Sequence, residues 1–240
     1  MWFSVFLGFA VGAISSALGI GGGVMLVPVL HLLLGLGVKE AIGTSLAIMV
    51  VRSLTATISY SREKLILWRL GLTLEAGSVV GAYLGARTCN LLPSKVIKAC
   101  FSLLLFFIAF KMWREVKLEE GEGGKPVWML VALGFISGFL SGVLGIGGGI
   151  VNVPIMKLVL GVSMHNAVAT STFIILVTVT IGSITHFMLG NVNTVIWSWM
   201  VIPTSIGAYV GAKAAPRVRG SMLSKAFSVL LVLTGLKLLI

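Results

Sequence analysis

The sequence contains no aspartate, and its seven acids are all glutamates. Only 10% of its 240 residues are charged, while 58% are hydrophobic and mean hydropathy is +1.09. A soluble domain of this length needs a polar shell, and this chain lacks the residues to build one. Without aspartate, a diaspartyl intramembrane protease is excluded. The two cysteines, Cys89 and Cys100, make neither a disulfide framework nor a metal site, and no metal or cofactor is expected. The short alternating segments of an outer-membrane barrel are missing. Its glycine runs are not phosphate loops: no Lys-Ser/Thr follows them, and a G-x-G-x-x-G reading fails at Val24. With no nucleotide-binding domain, ATP cannot drive the protein alone. The opening "MWFSVFLGFA" has neither a basic region nor a small-residue cleavage site, so it reads as a retained helix.

What is present is a series of apolar stretches near the length that crosses a bilayer, about 20 residues. The chain is therefore expected to be an all-α polytopic membrane protein. Its net charge of +11 lies mostly in the short connections between those stretches. That placement fits membrane orientation and lipid headgroups, not nucleic acid. Four of the glutamates, Glu115, Glu119, Glu120 and Glu122, share one polar linker.

The chain is also an internal duplication. Shifted by 126 residues without a gap, Leu7–Pro28 matches Leu133–Pro154 at 13 of 22 positions. "GAYLGAR" at Gly81–Arg87 falls on "GAYVGAK" at Gly207–Lys213, and Thr44-Ser45 falls on Thr170-Ser171. The expected organisation is a first transmembrane repeat at 1–113, a cytoplasmic linker at 114–125 and a second repeat at 126–240. Each repeat holds five apolar segments, roughly 2–18, 24–36, 40–60, 65–87 and 94–113, then 126–144, 150–161, 164–188, 194–213 and 221–240. The second segment of each half is too short to span comfortably, so the first two form either a re-entrant hairpin or two distorted spans. Either way the number of crossings per half is odd and the second repeat is inverted, whereas a single broken span would make four crossings and parallel halves. Placing both termini outside puts Arg62, Lys64, Arg69, Lys111, Lys213 and Arg217 inside, as the positive-inside rule prefers. The cluster from Arg87 to Lys98 lands on the other side.

Two glycine runs dominate the reading: Gly19, Gly21, Gly22 and Gly23, and Gly145, Gly147, Gly148 and Gly149. Glycine inside a helix costs about 1 kcal/mol relative to alanine, so each run should break its helix. Broken backbone at membrane depth is tolerated only when buried in protein or lining a cavity. The half-helix after each break would start with open N–H groups that attract an anion, and two such breaks meeting near the midplane are the usual site of a secondary transporter. Gly8, Gly12, Gly81 and Gly85 with their repeat mates are expected to serve close helix packing instead. "GFLSG", the one stretch with the look of a serine-protease motif, falls on "GAISS" in the repeat and reads as packing too.

Further candidates surround the breaks. Thr44, Ser45, Thr170 and Ser171 either donate to an anion or bond back to their own helices. Asn152 is the one polar residue directly after a break and is expected to contact ligand. Arg52 lies deep in "LAIMVVRSLTATISY", where it either binds an anion or snorkels to the inner surface. Glu75, the one acid well inside a span, either pairs with Arg52, carries a coupling proton or sits in a wet crevice. His186, opposite Tyr60 in the repeat, reads as a satisfied polar side chain.

At these residues the sequence resembles the TauE/SafE family of sulfite exporters. The duplicated "GIGGGVMLVP" and "GIGGGIVNVP", the "AIGTS" and "AVATS" stretches and the "GAYLGAR" pair carry the resemblance, which covers essentially the whole chain. It implies a plasma-membrane permease for sulfite, sulfonates and related anions, with the glycine runs and the Thr-Ser pairs as functional positions. Arg52, Glu75 and Lys157 are not implied by it. The expected function is a secondary transporter of a small sulfur-containing anion, bound between the two breaks and moved by alternating access. A passive anion channel of the same architecture is the alternative, and formation of a homo-oligomer is left open.

Overall fold

The computed structural model describes residues 2–19, 21–113 and 126–218, together with scattered positions between 222 and 236. The expected linker at 114–125 lies outside the described residues, as does most of the expected tenth segment at 221–240.

Every regular element among the described residues is helical. Helix α1 is Trp2–Leu18, and α2 is Gly23–Pro28, continued by a π turn at Val29–Leu33. Helices α3 (Val38–Arg62), α4 (Trp68–Leu91) and α5 (Ser94–Trp113) complete the first half. The second half repeats the order: α6 (Val127–Leu144), α7 (Gly149–Pro154) with its π turn Ile155–Val159, α8 (Met164–Met188) and α9 (Thr194–Ala214). Both π turns begin directly after a proline, Pro28 or Pro154, whose missing N–H cannot continue the helical ladder. Four described helices, α3, α6, α8 and α9 with its terminal turn, are long and apolar enough to cross a membrane.

The halves do not pack as separate bodies. The main helix pairs are α1 with α9 and α4 with α6, so the first helix of each half lies on the fourth helix of the other. Glycine makes these contacts possible. A Cβ on Gly12 would run into the Thr204 carbonyl, and Cβ atoms on Gly207 and Gly211 would run into the Phe9 and Ala13 carbonyls. In the equivalent pair, Gly134 and Gly138 face the Leu74 and Ser78 carbonyls, while Gly81 and Gly85 face those of Phe135 and Phe139. Backbone against backbone at this distance is the close approach that small residues permit in membranes, as the sequence led us to expect.

The same contacts give direction. Residue numbers rise together along α1 and α9, and along α4 and α6, so each pair runs parallel. Between α3 and α8 they run oppositely: Gly43 lies at Asn191, Leu46 at Gly182, and Met49 with Ile175 and Val179 beside the breaks. The halves are also tied crosswise by hydroxyls. The Asn193 N–H donates to Thr44 Oγ1 at 2.9 Å, and the Leu67 N–H donates to Thr170 Oγ1 at 2.9 Å. These bonds fix the start of α9 and of α4 against the opposite half.

Candidate functional site

The glycine runs break the helices as the sequence demands. Gly19, Gly21 and Gly22 have φ of 67°, 85° and 70°, and Gly145, Gly147 and Gly148 have 68°, 73° and 72°. These left-handed values are costly for any residue with a Cβ, and three of them in four positions require glycine. Gly23 plays a different part. A Cβ there would collide with the Gly145 carbonyl, and its next neighbour is Ile146 Cα. The two breaks therefore touch each other in the middle of the protein, flanked by the equivalent side chains of Met49 and Ile175.

Where the breaks touch, Gly23 stands against the Gly145 carbonyl, and polar side chains gather beside Gly22 and beside Gly148. Some of the N–H groups at the starts of the short helices are taken within the breaks themselves. Gly23 N bonds Gly21 O at 2.8 Å, Met25 N and Leu26 N bond Gly22 O at 3.0 and 2.7 Å, and Val151 N and Asn152 N both bond Gly148 O at 2.9 Å.

Ser45 and Ser171 hold the breaks together. Ser45 Oγ donates to its own helix at Ile42 O (2.8 Å) and reaches Gly145 O at 3.1 Å; Ser171 Oγ donates to Gly19 O at 3.2 Å. The Thr-Ser pairs thus staple each half to the other's break and loop. Thr44 and Thr170 act as acceptors in those staples.

The first polar face is built around Arg52. Its side chain is 0% exposed, so it does not snorkel. Nη2 donates to Ser16 Oγ at 2.9 Å, while Nε and Nη1 are buried without a partner. Cδ and Nε lie 3.6 Å from where a Gly22 Cβ would stand, with Ser15 Oγ on the other side at 3.3 Å. Tyr60 adds a further tie between α3 and α1 by donating to Ser16 O at 2.7 Å. The sequence did not single out Ser15 and Ser16. Their signal was the mismatch at Ser16, whose repeat mate is Gly142: a polar side chain kept in one half only.

The second polar face carries no arginine, because the repeat position of Arg52 is Thr178. Asn152 is 0% exposed, and both Oδ1 and Nδ2 lack partners. Nδ2 lies 3.3 Å from the place of a Gly148 Cβ, and Ser137 Oγ lies 2.9 Å from it. Ser137 Oγ donates to Gly148 O at 3.2 Å, and the buried Ser141 Oγ has no partner. Glu75 does not pair with Arg52. Its two carboxylate oxygens take Thr178 Oγ1 at 3.2 and 3.3 Å, and Thr178 in turn lies 2.5 Å from Ser78 Oγ. His186 is satisfied, as expected: Nε2 meets Gly142 O at 3.1 Å, in the place where Tyr60 meets Ser16 O, and Nδ1 meets Asn191 Nδ2 at 3.3 Å.

Comparison with known proteins agrees with the architecture. A family model described as sulfite exporter TauE/SafE matches residues 4–238. A probable membrane transporter protein of Bacillus subtilis, YunE, is 29% identical over 98% of this chain and 96% of its own length. Another from Methanocaldococcus jannaschii is 29% identical over 94% of this chain and 92% of its own. A second Bacillus subtilis relative, YdhB, also named a probable membrane transporter protein, is 29% identical over 96% and 97%. No solved structure matches.

Proposed function

Since the chain belongs to the TauE/SafE sulfite exporter family of membrane transporters, we propose that it is a secondary transporter of the plasma membrane for a small sulfur oxyanion. The anion binds at the first break, against Arg52. The observation that carries this reading is the Arg52 guanidinium, fully buried at membrane depth with two nitrogens unpartnered. An arginine at the centre of a spanning helix costs about 2.5–3.5 kcal/mol on insertion scales, so a chain keeps one there for use. Guanidinium edges also match the paired oxygens of sulfite or a sulfonate. Gly22, with no side chain, leaves room beside Nε; Ser15 and Ser16 supply hydroxyls. On the other side Gly148, Asn152, Ser137 and Ser141 form a second, uncharged polar face.

We propose further that the halves are inverted repeats. In support, α3 and α8 are equivalent under the 126-residue shift and cross in opposite directions, while α1 and α6 each run parallel to the fourth helix of the other half. Such a pair rocks about its contact, which here is the touching pair of breaks, to give alternating access. The hydroxyl staples from Thr44, Ser45, Thr170 and Ser171 would hold the breaks during that motion.

The test is thermal stability of purified protein against sulfite, sulfate, thiosulfate, methanesulfonate and matched carboxylates. A ligand at 100 times its Kd adds about 2.7 kcal/mol to stability. Stabilisation by a sulfur oxyanion and not by its carboxylate analogue is expected, followed by saturable flux in liposomes. A flat response, or flux that rises linearly with concentration, would overturn the reading, the latter in favour of a channel.

A further inference from the structure

The two polar faces are unequal, and their inequality has a charge count. Among the described residues Arg52, beside the first break, has no acid within ion-pair distance, and its guanidinium bonds the Ser16 hydroxyl. Glu75, on α4, is 5% exposed and is met only by hydroxyls, those of Thr178 on α8 and, through it, Ser78. Among the described residues the elements packed on α4 bring no cation to Glu75; Lys39 of α3 reaches only the far end of α4, donating to the Asn90 carbonyl at 2.7 Å. Helix α6 has no ionisable side chain, and the two histidines of α8, His165 and His186, sit at its ends on the Val218 and Gly142 carbonyls. The arginines of α4 itself, Arg69 and Arg87, are exposed near its ends. Arg52 belongs to α3 and is bonded to α1 through Ser16.

We propose that Glu75 carries a coupling proton and that the protein is an electroneutral symporter of one proton with one monovalent anion. This rests on the anion-site reading above. Arg52 and an ionised Glu75 give the empty core a net charge of zero. Binding the anion alone leaves one uncompensated negative charge, and binding the proton alone leaves one positive. With both bound the core is neutral again. Charge buried in a low-dielectric core is expensive to move, so the empty and doubly loaded forms change conformation and the singly loaded forms do not. Coupling follows from the two charges without any contact between them.

A proton suits the Glu75 face better than a metal cation. A cation needs several oxygens spread around it, and here the Thr178 hydroxyl stands in hydrogen-bond contact with both carboxylate oxygens and with Ser78, filling the place a cation would take. The same four oxygens suit a proton. Ionised, the carboxylate accepts from Thr178, which accepts from Ser78; protonated, Glu75 donates to Thr178 and the chain reverses.

The experiment uses the whole protein in liposomes with a trapped pH dye and the membrane potential clamped. The reporter is whichever of sulfite, methanesulfonate and isethionate stabilises the purified protein most. For wild type we expect lumenal acidification on anion uptake, a proton-to-anion ratio of one for a monovalent anion, and no net charge movement. Glu75→Gln fixes the acid in its neutral form: its loaded core is neutral and crosses, its empty core is charged and does not return. It should keep anion exchange between two loaded faces while net uptake falls to background, and Glu75→Asp should restore proton-coupled net uptake. Wild-type uptake of the monovalent reporter that carries charge or moves no protons overturns the inference, whatever the variants do. So does Glu75→Gln with wild-type net uptake. A folded wild type that binds and exchanges none of the three anions overturns the anion site itself, and the inference falls with it.

Discussion

Arg52 donates from Nη2 to the hydroxyl of Ser16 at 2.9 Å, and this is the one hydrogen bond its guanidinium makes among the described residues. The bond joins the middle of α3 to the last turn of α1, just ahead of the first glycine break. It fixes the guanidinium's position while leaving Nε and Nη1 open.

An unpaired buried charge lowers stability, so removing it should raise stability. Arg52→Met, of similar length and apolar, is expected to fold and to melt at or above the wild-type temperature without ligand. It should lose all stabilisation by sulfur oxyanions. A thermal-shift titration of both proteins checks this. Unchanged ligand stabilisation in Arg52→Met would place the anion elsewhere.

Adjacent glycines of the first break should respond differently to the same methyl group. At Gly22 the added Cβ meets nothing closer than Ser15 Oγ at 3.3 Å, but φ is +70°. The left-handed backbone costs about 1–2 kcal/mol for a residue with a Cβ. Gly22→Ala should therefore fold with reduced stability and weakened anion binding, since the methyl stands beside Arg52 Nε. Gly23→Ala drives a methyl into the Gly145 carbonyl and should yield no monodisperse protein. Size-exclusion profiles and melting temperatures of the two variants separate these outcomes; equal behaviour would contradict the contact between the breaks.

Asn152 should show the opposite signs of stability and function. Its amide is buried with neither end bonded, and an unsatisfied buried polar group costs about 1–3 kcal/mol. Asn152→Leu installs the residue that stands at the matching place, Leu26. We expect a higher melting temperature and slower anion flux. A variant more stable and equally active would show that the amide serves no ligand.

Much of this was legible in the sequence. The duplication, the position of both breaks and most helix bounds follow from glycine, proline and apolar run lengths. Helix α4 was misjudged at both ends, expected at 65–87 and found at Trp68–Leu91. At its start the Leu67 N–H is taken by Thr170 of the other half, which keeps Leu65–Leu67 out of the helix. At its end Arg87 folds back over the Tyr83 ring at 4.9 Å, so the charge does not end the helix. What periodicity cannot give is the identity of the neighbour. A run such as Thr44-Ser45 shows which face is polar, not that the face meets the break of the opposite half. The Ser16 partner of Arg52 and the Thr178 partner of Glu75 lie 36 and 103 residues away in the chain. No local pattern joins them.

The crosswise packing of α1 on α9 also sets an order of assembly. The glycine face of α1 is made well before its seat on α9. While the intervening helices are inserted, that face must wait beside lipid or the insertion machinery. A first repeat made alone would lack the helix that covers α1, the hydroxyl that caps Gly19 and the carbonyl that meets Gly23. The duplicated chain is thus two copies in sequence but a single unit of biogenesis, its first helix seated only when α9 arrives.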